Sequence, residues 1–217
     1  MKKIIIFDSG FGGEMFADYV ENEIAVIDII RVIDWHNAAC YLKNITVARS
    51  AALAALRPYI GRVDIIVIAN HFLAETSLGF FRHKFKNQKF IGFSNNCLTK
   101  FSKDSNNLIL ATTSMSRHLI SYKFKKNFRE VYLDAWVQKI DDGELTPDDV
   151  KRDLYKYVAF APSHIILCCT QFTDIKPILY KLFGQHVIIE NGYKYVFREL
   201  CQELGFRGMD GKKSDKI

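Results

Sequence analysis

The segment Asp8–Gly13, which reads DSGFGG, follows the apolar run Ile4–Phe7 near the beginning of the chain. It predicts a strand that ends in a tight turn into a helix, because glycines allow a close backbone approach and free N–H groups at a helix start favour a carboxylate or phosphate. The glycine spacing fits neither a Walker A loop nor the G-x-G-x-x-G motif. The segment therefore indicates an anion-binding turn, with a simple helix-capping role for Asp8 as the alternative.

Two further polar segments also end apolar runs. Ala69–Phe72, which reads ANHF, closes the run that begins at Val63, and Cys169–Gln171, which reads CTQ, closes another run in the second half of the chain. In open α/β sheets, ligands bind beyond the carboxyl ends of the strands. We therefore expect the three segments to form a ligand site.

Apolar runs rich in Ile and Val recur along the chain and are typical of buried parallel strands. The predicted strands are Lys3–Phe7, Val26–Val32, Val63–Ile68, Phe90–Phe93, Leu108–Ala111, Val131–Leu133, His164–Cys168 and Val187–Ile189. The predicted helices between them include Glu14–Glu23, Ile45–Tyr59 and one that starts at Thr146 and runs to about Phe160. Strands that alternate with helices predict right-handed crossovers and a mainly parallel sheet.

The composition of the 217 residues, with 49% hydrophobic and 25% charged residues, is typical of a soluble globular protein with one large domain or two small lobes. The first apolar run is too short for a signal peptide, and no stretch is long enough to span a bilayer, so we expect a cytoplasmic location without a membrane partner. The five cysteines, an odd number without an export signal, argue against a disulfide framework, and the lack of a C-x-x-C pair argues against structural zinc. We therefore expect free thiols.

The net charge of +6 is unevenly distributed. Six Lys or Arg residues and no acid lie between Arg82 and Lys103, and five lie between Arg117 and Arg129. Phenylalanines interleave with the first cluster, a pattern that can serve nucleic acid by combining cations with stacking platforms. Because no nucleic-acid-binding motif accompanies it, we favour solvated helix faces and do not expect a nucleic-acid partner.

Taken together, the three polar segments resemble the cofactor-independent aspartate/glutamate racemase superfamily, particularly glutamate racemase. That family opens with D-S-G-x-G-G after a strand, ends its third strand in A-C-N-T, and ends a later strand in G/C-C-T-H. Here the first motif is intact, the second reads ANHF from Ala69, and the third reads CCTQ from Cys168. Thr113 and Ser116 match the family's G-T-x-x-T substrate loop apart from its glycine.

The resemblance implies an α/β fold of two pseudo-symmetric lobes, each a mainly parallel sheet flanked by helices, with a cleft between them. The first lobe would comprise residues 1–92 and 188–217, closed by the C-terminal helix, and the second residues 93–187. The family commonly forms dimers, so a homodimer is an expected assembly.

The family's chemistry uses two cysteines on opposite walls of a cleft, one as the base and the other as the acid, to invert an amino acid. Cys169 matches the second cysteine, whereas Asn70 occupies the position of the first. An amide has no basic form near neutral pH and cannot take a proton from carbon. The resemblance therefore implies an isomerase-like protein for a small amino acid or related carboxylate, without metal, pyridoxal phosphate or nicotinamide, whose racemisation is altered or lost.

Two alternatives remain open beside the racemase-like function. Family members that act as decarboxylases keep only the second cysteine, so a one-thiol lyase or decarboxylase would use Cys169. A non-catalytic member would bind a small anion or a protein partner.

The resemblance also assigns the other candidate residues. Asp8 and Ser9 would contact an ammonium group or a nearby thiol, and Tyr41 would belong to a lid over the substrate. Thr113, Ser116, Thr170 and Gln171 would contact the substrate, Gln171 in place of a family histidine.

His71 is the candidate for a second proton carrier facing Cys169. A structural hydrogen bond is the alternative for His71. For Cys169 the alternative is a buried packing role, since free cysteines are often buried, and we expect Cys168 to face the packing side.

Overall fold

The structure is a computed structural model that describes residues 1–42, 44–93, 106–115 and 128–206. It divides into two compact units, one formed by Met1–Ser94 with Gly192–Ile217 and the other by Asn95–Asn191. Each unit contains a four-stranded parallel sheet flanked by helices. The predicted α/β fold class is confirmed.

The described residues contain eight strands, each within three residues of its predicted bounds. They are β1 (Lys2–Asp8), β2 (Ile27–Ile33), β3 (Ile65–Ile68), β4 (Lys89–Gly92), β5 (Asn107–Ala111), β6 (Phe128–Tyr132), β7 (His164–Leu167) and β8 (Ile188–Glu190). The first sheet has the order β2-β1-β3-β4 and the second the order β6-β5-β7-β8. The two units therefore repeat one topology.

Seven α-helices and three 3₁₀ segments lie wholly within the described residues. The helices are α1 (Phe11–Glu23), α2 (Ile45–Leu56), α3 (His71–Lys84), α4 (Asp134–Asp141), α5 (Pro147–Leu154), α6 (Lys176–Phe183) and α7 (Tyr193–Leu204). The 3₁₀ segments are Trp35–Leu42, Tyr155–Phe160 and Thr170–Ile175. None of the helices in the described ranges is both long enough and apolar enough to cross a bilayer.

The central strands form the core because they are apolar on both faces. Ile4–Phe7 in β1 and Ile65–Ile68 in β3 are buried, and the two strands pair in parallel. In the second unit, β5 and β7 have the same central position and are equally buried. This arrangement follows from continuous Ile- and Val-rich runs, which suit strands covered on both faces.

Local signals explain where the helices begin. The side chain of Asn44 caps α2 by accepting from Thr46 N at 2.8 Å. Thr146 starts α5 with a capping box, in which its hydroxyl accepts from Asp149 N and the Asp149 carboxylate accepts from Thr146 N. Such caps satisfy backbone groups that have no partner within the helix.

Two predicted helices end earlier than expected. Helix α2 stops at Leu56 rather than Tyr59, because Pro58 has no N–H to donate to the helix, although Arg57 before it keeps helical backbone angles. Helix α5 stops at Leu154, and the rest of the predicted helix to Phe160 is a 3₁₀ segment. No side chain of that segment is fully buried, and its half-buried Tyr157 packs against the core, so little apolar burial favours the α-helical form.

The boundary between the units also differs from the predicted one. The expected division after residue 187 assigns the last strand to the first unit. In the structure β8 pairs with β7, which places it in the second sheet. The return to the first unit therefore occurs at Gly192, where α7 begins.

Gly13 shows why the DSGFGG segment needs small residues. A Cβ atom at this position would lie 2.5 Å from the Asp8 Cβ and 2.8 Å from the Ile33 Cδ1. Helix α1 therefore packs too closely on β1 and β2 for any larger residue. This close approach holds the turn after β1 in place, directly beside Asp8 and Ser9.

Candidate active site

Each unit presents polar residues at the point where its strand order reverses direction. In the first unit this point lies between β1 and β3, which are neighbours in the sheet but are connected through β2 at the edge. The crevice beyond the carboxyl ends of two such strands is the usual ligand position in open α/β sheets. Asp8 and Ser9 lie at the end of β1, and Asn70 and His71 follow β3.

The Asn70 amide connects the ends of these two strands. Its nitrogen donates to Ser9 Oγ at 2.9 Å and to Asp8 Oδ1 at 3.2 Å. The Asp8 side chain is fully buried, and its Oδ1 also accepts from Ser9 N at 2.7 Å. Asp8, Ser9 and Asn70, three of the predicted site residues, therefore form one hydrogen-bonded network.

Asn70 has a second role at the beginning of α3. Its amide oxygen accepts from Leu73 N at 2.9 Å and caps the helix. Both ends of the amide are thus committed to the protein, the nitrogen to β1 and the turn after it and the oxygen to the helix. Asn70, which the sequence resemblance aligns with the first thiol, is therefore a structural connector in this chain.

His71 and Phe72 form the first turn of α3 and are both buried. The His71 ring packs edge-on against Phe93, with centroids 4.9 Å apart. On another side, its Nε2 lies 3.7 Å from where a Gly192 Cβ would be. The imidazole therefore packs among residues that follow β4 and precede α7, and its role as a proton carrier stays a prediction.

Tyr41 lies in the 3₁₀ segment Trp35–Leu42 and is only 1% exposed. Its hydroxyl donates to Asp34 Oδ2 at 2.6 Å, and its ring contacts Phe7 edge-on. Burial, reinforced by the Asp34 carboxylate, raises the pKa of Tyr41 far above its ordinary value. The hydroxyl is committed to Asp34 here, so substrate contact by Tyr41 stays a prediction.

The second unit has its own reversal point between β5 and β7. Thr113 follows β5, and its backbone nitrogen and hydroxyl both donate to the Asp134 carboxylate at the start of α4. The neighbouring Thr112 hydroxyl lies 3.0 Å from Ser114 Oγ. Ser116, the other predicted residue of this loop, lies outside the described residues.

Cys169 follows β7 and is linked to Gln171. The thiol donates to Gln171 Oε1 at 2.9 Å, and Gln171 Nε2 donates to Asp141 Oδ2 at 3.4 Å. Cys169, Thr170 and Gln171 are all less than 9% exposed. The structure thus brings Cys169 and Gln171 together and adds Asp141 to them.

Both cysteines of the CCTQ segment are buried. Cys168 N donates to Leu110 O at 2.8 Å, which continues the pairing between β7 and β5. Cys169 contributes to the apolar cluster of the second unit. The Cys169 thiol therefore has features of both roles considered from the sequence. It packs against apolar groups, as a core cysteine would, and it bonds to the polar side chain of Gln171, as a site residue would.

Asp134 and Asp141 were not among the residues predicted from the sequence. Both lie on α4, a helix that carries no recognised motif. Asp141 and Asp142 are adjacent acids ahead of Gly143, and the sequence pattern does not show which of them meets Gln171 after β7. Within the described ranges, no three His, Cys, Asp or Glu side chains gather in an arrangement suited to a metal ion.

Comparison with known proteins gives a relative in sequence and several in structure. The chain is 25% identical over 216 residues to the glutamate racemase of Clostridium botulinum, a match that covers 94% of this chain and 84% of the relative. No protein-family model matches.

Solved structures agree with that relationship. The glutamate racemase of Escherichia coli, in complex with L-glutamate and an activator, superposes with a TM-score of 0.79 at 18% identity, over 94% of this chain and 82% of that one. The chain fits the aspartate/glutamate racemase superfamily. The allantoin racemase of Klebsiella pneumoniae has a similar fold, with a TM-score of 0.64 at 16% identity over 94% of this chain and 89% of that one.

The likeness to glutamate racemases bears on the meaning of Asn70. The chain keeps the superfamily's first motif through Asp8 and Gly13 and its second-half thiol as Cys169. Asn70, which the sequence resemblance places at the first thiol, is an amide that connects β1 to α3. The fold is shared with glutamate racemases, whereas the residue at position 70 departs from the motif on which the sequence resemblance rests.

Proposed function

We propose that the protein binds a small amino acid or related carboxylate and acts on it through one thiol, without a metal or organic cofactor. One observation carries the proposal. Where the superfamily motif places two thiols, this chain holds Cys169 and an amide, Asn70, whose nitrogen and oxygen are both engaged by the protein. The substrate class is that of the glutamate racemases to which the chain is similar.

Binding would use the polar ends of the central strands. The network of Asp8 and Ser9 supplies oxygens for an ammonium group, since a buried carboxylate attracts a cation strongly. Backbone N–H groups at the start of α1 suit an anionic group. That a single ligand meets both this network and Cys169 is part of the proposal and rests on the family likeness.

The chemistry would be one-sided. Inversion needs a base on one face of the carbon and an acid on the other, and the Asn70 amide cannot serve as a base. Cys169 can still deliver a proton to one face of a carbanion, if that carbanion forms by loss of another group, such as carbon dioxide, rather than by loss of a proton to a second base. Its donated bond to Gln171 supports a protonated thiol in the resting protein.

A one-thiol lyase is the second candidate, and the same Cys169–Gln171 bond favours it. In a decarboxylation, carbon dioxide leaves and the electron pair of the broken C–C bond stays on carbon as an enolate. The thiol then forms the new C–H bond, and the resulting thiolate regains a proton from water. Such a reaction needs no base, so the loss of the first thiol would not prevent it.

Ligand protection of Cys169 tests the proposal. Candidate D- and L-amino acids and small dicarboxylates are first ranked by thermal shift, because a ligand that binds only the folded state raises the unfolding temperature. The best ligand should then slow iodoacetamide alkylation of Cys169, read by peptide mass spectrometry. Cys201, buried in α7, is the internal control and should not respond.

Two outcomes would count against the proposal. If no carboxylate ligand shifts the unfolding temperature, the binding function is refuted. If ligands bind but leave Cys169 alkylation unchanged, the thiol is not in their site, and a non-catalytic anion-binding protein becomes the better description.

A further inference from the structure

Three polar side chains form a chain of hydrogen bonds across the second unit. Cys169 lies at the end of β7, Gln171 in the 3₁₀ segment that follows, and Asp141 at the end of α4. The sulfur donates to Gln171 Oε1 at 2.9 Å, and Gln171 Nε2 donates to Asp141 Oδ2 at 3.4 Å. Gln171 is 5% exposed, so its amide exchanges bonds with the protein rather than with bulk water.

Asp141 decides which way the Gln171 amide is turned. An ionised carboxylate can only accept hydrogen bonds, so the amide nitrogen must face Asp141. The amide oxygen then faces the sulfur, and an amide oxygen also only accepts. The sulfur must therefore be the donor, which requires that it keeps its proton. The reverse orientation would set the Gln171 oxygen against the carboxylate oxygen at 3.4 Å, which is repulsive.

The position of Asp141 is fixed by packing rather than by chance. Trp136 on α4 contacts Phe172 edge-on, with centroids 5.9 Å apart, and both side chains are buried. The Trp136 indole also donates to Asp153 Oδ2 on α5 at 2.9 Å. These contacts hold α4 against the segment Thr170–Ile175, so the end of α4 is held at the Gln171 amide.

We propose that Asp141 is a positioning residue, which fixes the Gln171 amide so that Cys169 is held as a proton-donating thiol. This inference rests on the proposed function in one respect, namely that a bound substrate receives the proton from Cys169. It explains why a chain without the first thiol has glutamine at position 171. A glutamine oriented by Asp141 stabilises the donor form of the thiol that one-sided protonation needs.

The pH dependence of Cys169 alkylation tests the inference on the full-length protein. Cys168→Ala serves as the background, so that the peptide followed by mass spectrometry contains one thiol. In Asp141→Asn the new amide at position 141 can either donate or accept a hydrogen bond. The Gln171 amide is then free to turn its nitrogen toward a Cys169 thiolate. One hydrogen bond exchanged in this way should lower the midpoint of the alkylation profile by about one pH unit.

Asp142→Asn is the matched control, because this neighbouring carboxylate accepts from Gln138 rather than from Gln171. Its profile should equal that of the background protein. In a Gln171→Leu background, Asp141→Asn should no longer shift the midpoint, since the amide through which it acts is gone. If Asp141→Asn proves unstable, Asp141→Ser removes the fixed acceptor with a smaller side chain.

An unchanged midpoint in Asp141→Asn would overturn the inference, as would a shift that persists in the Gln171→Leu background. The measurement uses no substrate, so its failure is separate from a failure of the proposed function. If a ligand protects Cys169 but Asp141→Asn does not shift the midpoint, the proposed function stands and the positioning role of Asp141 is refuted. If Asp141→Asn shifts the midpoint but no ligand binds, the positioning role of Asp141 stands and the proposed function is refuted.

Discussion

Replacing Asn70 with alanine should destabilise the protein far more than removing an ordinary helix cap. The lost cap of α3 is worth about 1 kcal/mol. The amide nitrogen also serves two buried oxygens, on Asp8 and Ser9, and removing it costs about 1 kcal/mol for each. The expected loss in unfolding free energy is therefore about 3 kcal/mol.

Asn44→Ala provides the matched comparison within the same chain. Asn44 caps α2 through its side-chain oxygen, as Asn70 caps α3, but this cap lies on the exposed surface. Its removal should cost only about 1 kcal/mol. The difference between the two variants, about 2 kcal/mol, isolates the bonds from Asn70 to Asp8 and Ser9.

Urea unfolding followed by far-UV circular dichroism measures both variants under the same conditions. With a slope of about 2 to 3 kcal/mol per molar urea, the midpoint of Asn70→Ala should fall by about 1 M. Asn70→Ser can keep a cap while losing the reach to β1, so its midpoint should lie between wild type and Asn70→Ala. Equal midpoints for Asn70→Ala and Asn44→Ala would refute the connector role of Asn70.

Three further predictions concern stability and pH. Gly13→Ala should cost about 1 to 3 kcal/mol in urea unfolding, because the new Cβ would overlap Asp8; no loss would contradict the close packing. The bonds from Thr146 hold the pKa of Asp149 well below its usual range, so its stabilisation is present at neutral pH and lost as the pH falls below about 4. In Asp149→Asn the unfolding free energy should fall less as the pH drops below about 4. An unchanged fall would contradict the assignment of this pH dependence to Asp149. Burial raises the pKa of Cys201 to about 11, so its alkylation should stay slow until the pH approaches that value, and stability should fall as the pH rises from about 9 toward 11.

The architecture could be predicted from the sequence because its signal is local. Continuous apolar runs such as Ile4–Phe7 and Ile65–Ile68 are typical of parallel strands that are buried on both faces, and both runs are buried strands in the structure. The segment after Leu154 is harder to predict, because its sequence is compatible with a longer helix, whereas few of its side chains are buried in the fold. Secondary structure follows local pattern except where tertiary burial decides.

The candidate site could be predicted only as a set of positions. Motifs located Asp8, Asn70 and Cys169, but no motif says where an amide directs its nitrogen. Asp141 is 30 residues from Gln171 in sequence, and their meeting depends on the packing of Trp136 against Phe172. Contacts of this kind need the fold to be known.

The stereochemical course of proton transfer tests the central claim, that the loss of the first thiol leaves one-sided chemistry. Wild-type protein is incubated in deuterated water with each enantiomer of the best-bound amino acid, and chiral chromatography with mass spectrometry separates the products. We predict no product of inverted configuration, and any deuterium that enters carbon should have a single configuration and disappear in Cys169→Ala. Deuterated product of the opposite configuration from wild-type protein would contradict the account.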